Sequence, residues 1–295
     1  MLNNTLSKKI YPQYFIIPGF LLYTILFILP SVLGFGYSLT DWNVYTEKIN
    51  FIGLENFVEI FTYPTNKLLI MNTIKYAITT TVFKVIIGLF LALLLNEGLR
   101  SKNILRTIFY IPAILSPLVI GLVFTSIFNP VRGLLSQFLN IIGMGNFTHE
   151  WLADINTAMP AVMSVEIWRF SGYCMVIFMA GLQLIPRSLY EAAEIDGAGK
   201  IQKFSHITLP FLTPSITINI ILNIIWGLKV FDIIFVLTKG GPGHLTEVLN
   251  IAVFTQFSAG RYGFATAFGV VIFIFTSAIA FTILRLLNKK KVDFI

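Results

Sequence analysis

The chain has 295 residues, of which 56% are hydrophobic, 15% aromatic and only 12% charged, and its mean hydropathy is +0.81. A soluble domain carries about 25% charged residues, so that class is excluded, and the apolar runs are long and continuous, which excludes a membrane barrel with its short alternating strands. The net charge of +7 is not a nucleic-acid footprint, because the basic residues are scattered over short loops, where they set topology.

The fold class is therefore an all-α polytopic membrane protein. Six spanning helices are predicted at 14–39, 71–95, 107–128, 158–184, 211–237 and 264–287. Lys8 and Lys9 before the first span invite a signal-peptide reading. The span is too long for that, contains Pro18 and Pro30, and lacks a small-residue cleavage site, so it is read as a retained helix. Residues 1–70 form a tail, the first span and an outer loop, 71–290 form the transmembrane core, and 291–295 form a C-terminal tail after the anchor Lys289-Lys290-Lys291. Within the outer loop, Gly53-Leu54-Glu55-Asn56-Phe57 predicts a turn into a short surface helix. Pro112 and Pro117 in the third span, and Gly172 and Gly181 in the fourth, predict bent or closely packed helices. Cys174, the sole cysteine, sits in an apolar run, which rules out an intrachain disulfide and reads as a small buried hydrophobe.

Lys and Arg set the orientation. With the N-terminus inside, the inner segments hold Lys8, Lys9, Arg100, Lys102, Arg106, Arg187, Lys200, Lys203, Arg285, Lys289, Lys290 and Lys291, against Lys48, Lys67, Arg132, Lys239 and Arg261 outside. Both termini and the 186–210 loop are thus expected in the cytoplasm.

That loop is polar and patterned between two apolar spans. Residues 188–197 read as a short helix: Ser188 and Glu191 have capping-box spacing, Leu189, Ala192 and Ala193 form a small apolar face, and Gly197 can end the helix in a left-handed turn. A second helix, 200–207, is expected to stop before Pro210. Such a knob could enter a groove on a partner, with Glu191, Glu194 and Asp196 offering carboxylates to basic residues there. The alternative is an interfacial loop without a partner.

The order Glu-Ala-Ala, three residues, Gly, nine residues, Ile, one residue, Leu-Pro resembles the coupling loop of bacterial ABC importer permeases. Glu191, Ala192, Ala193, Gly197, Ile207, Leu209 and Pro210 match it at every fixed position. Gly181-Leu182-Gln183, Ile185-Pro186, Phe231-Asp232, Leu237-Thr238-Lys239-Gly240-Gly241-Pro242 and Gly53-Leu54-Glu55-Asn56-Phe57 resemble the carbohydrate (maltose/glycerol-phosphate-type) subgroup. The resemblance covers about residues 10–290. It implies the six-helix type I importer permease fold in a bacterial cytoplasmic membrane. A second homologous permease would complete the pathway, two copies of a cytoplasmic ABC ATPase would dock on the coupling loops, and an extracytoplasmic binding protein would deliver a sugar. This chain would be non-catalytic and bind no cofactor, with ATP and Mg on the ATPase. Gly197-Ala198-Gly199-Lys200 is not a phosphate loop, since Glu194 and Ile201 stand where Gly and Ser/Thr are required.

Charge inside a membrane is costly. Glu166 and Arg169, three apart on the fourth span, and Lys229 and Asp232, three apart on the fifth, could pair on one helix face; Lys84 lies deep in the second. They either hold the bundle together or line a water-filled path. Trp168, Phe170 and Tyr173 on the fourth span and Trp226 on the fifth could stack on sugar rings, with Arg169 and Asn223 bonding hydroxyls, or could belong to interfacial belts. The resemblance implies that Trp168, Arg169, Phe170, Tyr173, Trp226 and Gly227 lie near a mid-membrane sugar site. It also implies that Gly240, Gly241 and Pro242 face the binding protein, although the cluster is equally a simple turn. Three rivals remain. An ion-driven transporter would leave the 186–210 pattern unexplained, an ABC importer of glycerol phosphate or a polyol would suit Arg169 and Lys229, and a non-transporting membrane scaffold would need the same loop to bind a partner without turnover.

Overall fold

A computed structural model of the chain describes residues 13–45, 47–96 and 101–288. Lys8, Lys9, Arg100, Lys289–Lys291 and the 291–295 tail lie outside them. The helices are α1 (Ile16–Tyr37), α2 (Glu55–Thr62), α3 (Pro64–Asn96), α4 (Lys102–Ile114), α5 (Pro117–Ile127), α6 (Leu134–Ile141), α7 (Ala158–Gln183), α8 (Arg187–Ile195), α9 (Lys200–Phe211), α10 (Thr213–Leu228), α11 (Asp232–Leu237), α12 (Leu249–Ser258) and α13 (Tyr262–Asn288). Four helices are long and apolar enough to cross a membrane on their own: α1, α3, α7 and α13. Counting each of two bent pairs, α4 with α5 and α9 with α10, as one span makes six.

The first bent pair agrees with the bend that Pro112 and Pro117 predict in the third span, whereas the fifth span, expected to be uninterrupted, is corrected. The axis turns by 98° between α4 and α5. Leu115 and Ser116 are extended there (ψ 144° and 136°) because Pro117, at the start of α5, excludes the helical conformation from the residue before it. Between α9 and α10 the turn is 63°, at Leu212, with Pro210 and Pro214 on either side. The fifth span also ends early: α10 stops at Leu228, and the unwound 229–231 stretch precedes α11. Asn250 Nδ2 donates to the freed Lys229 carbonyl at 2.6 Å, which makes the interruption tolerable away from water.

Two interior prolines, Pro30 and Pro210, are met by widening the helix. A π turn over Thr24–Ile28 lets Leu29 N–H reach the Thr24 carbonyl just before Pro30. The same arrangement over Phe204–Thr208 joins Leu209 N–H to the Phe204 carbonyl just before Pro210. A proline ring collides with the carbonyl four residues back, and the wider turn moves that carbonyl aside. The second loop helix therefore runs through Pro210 to Phe211 instead of stopping before it.

The chain divides into two compact units, residues 1–62 with 253–271 and residues 63–252 with 272–295. In the first, a β-bridge between Thr40 and Phe51 closes the loop after α1, and α2 begins where the Gly53 turn predicts it. Val44 N–H bonds the Gly260 carbonyl and Gly263 N–H bonds the Trp42 carbonyl, both at 2.8 Å. In the second unit, α3 and α7 pack closely. Buried Met175, Phe178 and Leu182 of α7 meet Ala92 and Leu95 of α3, and Tyr76 of α3 joins a core with Val162 and Val165 of α7. Gly172 admits α4 to the same helix: a Cβ there would lie 1.9 Å from the Phe109 carbonyl oxygen.

Candidate functional site

The 187–211 hairpin is a rigid, exposed knob. α8 starts directly after Pro186, and neither Ser188 nor Glu191 caps it, so the capping-box expectation fails; Pro186 presets the entry and needs no N–H. The C-terminus behaves as predicted. Gly197 is left-handed (φ +74°), Gly197 N–H bonds the Glu194 carbonyl at 3.1 Å, and Ala198 N–H bonds the Ala193 carbonyl at 2.8 Å, a complete Schellman closure. Tyr190 Oη and Thr208 Oγ1 are 2.9 Å apart, and Lys203 Nζ donates to Glu194 Oε1 at 2.6 Å, so α8 is tied to α9.

The matched residues divide between two faces. Glu191, Ala192, Asp196 and Gly197 are exposed, while Ala193, Ile207 and Pro210 are half-buried and Leu209 is partly exposed. Tyr190, Ile207 and Phe211 pack on Leu95 of α3 and on Leu182 and Ile185 at the end of α7. The inner face of the hairpin is thus anchored on the ends of two long helices. Sequence reasoning passed over Ile195 and Ile201, which flank the Gly197 turn and are 87% and 83% exposed. Both leave apolar side chains bare on a polar loop; their signal was an apolar residue at each edge of the motif.

A second site lies within the membrane core, where Glu166, Arg169, Phe170, Trp226, Lys229, Phe231 and Asp232 line a cavity of about 430 Å³. Glu166 does not pair with Arg169. It meets Lys84 of α3 at 3.5 Å, and Lys84 is wholly buried. Arg169 Nη2 donates instead to the Leu115 carbonyl at 3.1 Å, the group freed by the α4–α5 break. Among the described residues no ion pair joins Lys229 to Asp232. Phe170 is the hub: the Arg169 guanidinium lies 4.6 Å and Lys84 Nζ 5.6 Å from its ring centre, and Trp226 stands 5.6 Å away. Tyr173 backs Trp226 edge-on at 5.2 Å.

Of the six residues expected near a sugar, Arg169, Phe170 and Trp226 line the cavity and Tyr173 supports it. Trp168 points to another side of α7, against Phe124 at 5.2 Å, and is 47% exposed. Gly227 is a close-approach position, where a Cβ would sit 2.7 Å from Ala77 Cα of α3. Asn223 is likewise turned away from the cavity: its amide donates to Cys174 Sγ and to the Asn219 carbonyl inside the bundle. Lys229 and Asp232, expected either to pair or to line a path, both reach the lining, and α10 unwinds between them.

The 238–247 segment is a locked turn, not a loose loop. Thr246 Oγ1 donates to the Gly241 carbonyl at 2.6 Å and sits 2.7 Å from Thr238 Oγ1. Asn72 of α3 donates to the His244 and Glu247 carbonyls at 3.1 and 3.0 Å, and His244 Nδ1 contacts the Glu247 carboxylate. Gly240 is buried and Gly241 and Pro242 are half-buried, whereas Gly243 and His244 form the exposed tip.

Comparison with known proteins accords with this architecture. The chain is 37% identical over 279 residues to a probable ABC transporter permease protein, YurN, of Bacillus subtilis, covering 93% of this chain and 94% of the relative. It is 33% identical over 294 residues to the trehalose/maltose transport system permease protein MalF of Thermococcus litoralis, covering 96% and 97%. Its fold matches a solved bacterial ABC transporter involved in import of the acidic polysaccharide alginate, with a TM-score of 0.83 at 23% identity over 97% of this chain and 99% of that one. Residues 84–293 match the family described as binding-protein-dependent transport system inner membrane component, and the chain belongs to that family of multi-pass ABC importer permeases.

Proposed function

We propose that this chain is one of two permease subunits that form the pathway of an ATP-driven sugar importer, with both termini in the cytoplasm. Two ATPase subunits dock on the coupling loops, one on the exposed face of this chain's 187–211 knob and one on the second permease, and an extracytoplasmic binding protein delivers the sugar to the outer face, where Gly240, Gly241 and Pro242 stiffen the turn that meets it. ATP and Mg belong to the ATPase, and the chain itself catalyses no bond chemistry. The observation that carries the reading is mechanical. The seven motif residues sit on a closed hairpin that packs on the ends of α3 and α7, and those helices also supply Lys84, Glu166, Arg169 and Phe170 around the cavity. Closure of the ATPases would move the knob, tilt α3 and α7, and open the cavity to the outside. Hydrolysis would restore the inward-open state.

The cavity favours a neutral polyhydroxylated cargo. Two carboxylates, Glu166 and Asp232, face two cations, Arg169 and Lys229, beside the aromatic rings of Phe170, Trp226 and Phe231. Ring C–H groups stack on such faces while alternating donors and acceptors take hydroxyls. The relatives transport trehalose/maltose in Thermococcus litoralis and multiple sugars in Streptococcus mutans according to their names, which supports the same class here.

The test is ATP turnover of the co-purified complex in nanodiscs with binding protein and a panel of sugars, comparing wild type with Glu191→Lys. Sugar-dependent stimulation that the substitution abolishes is the expected result. Turnover that ignores sugars but answers to glycerol 3-phosphate overturns the cargo and keeps the coupling. A complex without ATPase, and uptake untouched by Glu191→Lys, overturns the importer assignment.

A further inference from the structure

A second, separate cavity lies in the first unit, between the end of α1 and the start of α13. Its volume is about 520 Å³, and its walls include Asp41, Trp42, Tyr45, Asn56, Glu59 and Arg261. No residue of the transport mechanism above contributes to it. Both helix ends beside it are the outer ends of their spans in that reading, so it opens on the extracytoplasmic surface.

The walls are held before any ligand arrives. Trp42 is packed between Tyr37 and Tyr262, with ring centres 4.4 and 4.9 Å away. Asn56, buried, spends both amide hydrogens on the Ser38 and Thr40 carbonyls at 2.9 Å. Arg261 bonds Glu59 at 2.9 Å and stacks on Phe264 at 4.2 Å. Asn50 gives both its backbone and side-chain N–H to Asp41, at 2.8 and 2.9 Å, which holds the Asp41 carboxyl below the usual carboxylate range and keeps it ionised. What remains open is a mixed set: the Asn56 carbonyl and outer lone pairs of Asp41 as acceptors, further Arg261 N–H groups as donors. At the rim stands Tyr45, 89% exposed, a bare aromatic ring on a polar loop.

The chemistry selects the ligand class. A cation would need an unpaired carboxylate, but Asp41 is bonded to Asn50 and Glu59 to Arg261. An anion would meet two carboxylates against one guanidinium. A neutral ring with hydroxyls around its edge and an apolar C–H face fits the donors, acceptors and aromatic rim together. We propose that this outer cavity is a carbohydrate-binding site distinct from the mid-membrane one, taking a single pyranose or furanose unit of the cargo on the extracytoplasmic surface. The inference rests on the sugar-importer reading for its sidedness and cargo.

The test uses the assembled permease–ATPase complex in nanodiscs, without binding protein, and saturation-transfer NMR of maltotriose, arabinotriose and glycerol 3-phosphate. A millimolar sugar signal is expected, weakened about fivefold by Tyr45→Ala, the loss of one aromatic contact. Arg261→Ala weakens it as well, whereas Phe170→Ala in the mid-membrane cavity leaves it in place. A signal lost with Phe170→Ala but indifferent to Tyr45→Ala and Arg261→Ala overturns the proposal, because the sugar then sits only in the membrane. Competition by glycerol 3-phosphate at Arg261 overturns the neutral class, and absence of any sugar signal overturns the site. Sugar-stimulated ATP turnover with binding protein, measured on the same samples, separates the two readings. If turnover survives while the direct signal is absent, the outer cavity alone is refuted; if both are absent, the importer reading falls with it.

Discussion

The cytoplasmic knob and the mid-membrane cavity are built in opposite ways. The knob is a contiguous stretch whose outer residues touch almost nothing of their own chain: Glu191, Ala192, Asp196 and Gly197 are exposed, and a Cβ at Gly197 would find no atom within 4 Å. The cavity is lined by α7, α10, α11 and the stretch between the last two, and its charged groups on α7 reach other elements: Glu166 meets Lys84 of α3 and Arg169 bonds the Leu115 carbonyl. Replacing a knob residue should therefore change what the protein couples to and leave its fold intact, whereas replacing a cavity residue should disturb fold and function together.

The largest effect is expected at Lys84. A buried ion pair stripped of one member leaves an uncompensated charge, at a cost of about 3–5 kcal/mol. Lys84→Met should lower the thermal midpoint of the purified complex sharply. The pair itself is poorly made: Lys84 Nζ stands 3.5 Å from Glu166 without a hydrogen bond, and Tyr76 Oη and Thr80 Oγ1, two turns and one turn earlier on the same stripe of α3, also lack partners. The double replacement Lys84→Met with Glu166→Leu should thus recover most of the loss. A double variant as unstable as the single would mean the charges do more than neutralise each other, and the contrast with the knob would weaken.

Next comes Gly227. If its task is the close approach of α10 to α3, Gly227→Val should cost about 1–3 kcal/mol by overpacking against Ala77. Sugar selectivity of the surviving protein should be unchanged. A shift in selectivity without loss of stability would return Gly227 to the substrate site.

Gly197→Ala should cost less, about 1 kcal/mol, because the penalty is conformational and involves no collision. Its effect on coupling should be disproportionate. Fraying of the Schellman closure at 196–198 moves Ile195 and Asp196, so sugar-stimulated ATP turnover should fall while the thermal midpoint hardly moves. A midpoint drop as large as that of Gly227→Val would show that the knob is part of the folding core.

The same contrast explains what the sequence could reveal. The knob was legible because its residues keep fixed spacing along one chain segment, and Gly197 announced a left-handed helix end. Span number was legible from the apolar runs and short outer helix α2 from its Gly53 turn. The capping box was misread because Ser188 and Glu191 satisfy a spacing rule that Pro186, two residues earlier, makes unnecessary. Glu166 was paired with Arg169 by helical spacing, but a charge in the membrane takes the partner that excludes water best, and that was Lys84, 82 positions away in the chain and invisible to local rules. Arg169 was released by a second non-local event, the break before Pro117, which bared the Leu115 carbonyl. Pro117 itself was visible; the 98° turn and the residue that would answer it were not.

The smallest expected effect concerns the two ties between α8 and α9, one an exposed ion pair and the other a neutral bond over a buried threonine. Lys203 Nζ and Glu194 Oε1 are 2.6 Å apart, yet the Glu194 side chain is 67% exposed, and such pairs contribute about 0.2–1 kcal/mol and are screened by salt. Tyr190 Oη and Thr208 Oγ1 meet over a buried threonine, and losing the tyrosine hydroxyl leaves the Thr208 hydroxyl only a long, 3.4 Å bond to the Lys203 carbonyl. Hydrogen exchange of the 187–211 amides should therefore quicken slightly in Lys203→Ala and more in Tyr190→Phe. Raising the salt concentration should reproduce the first effect in wild type and add nothing to the second. If Lys203→Ala opened the hairpin as far as Tyr190→Phe, the knob would be held from its solvent side, and its outer face could not be free for a partner.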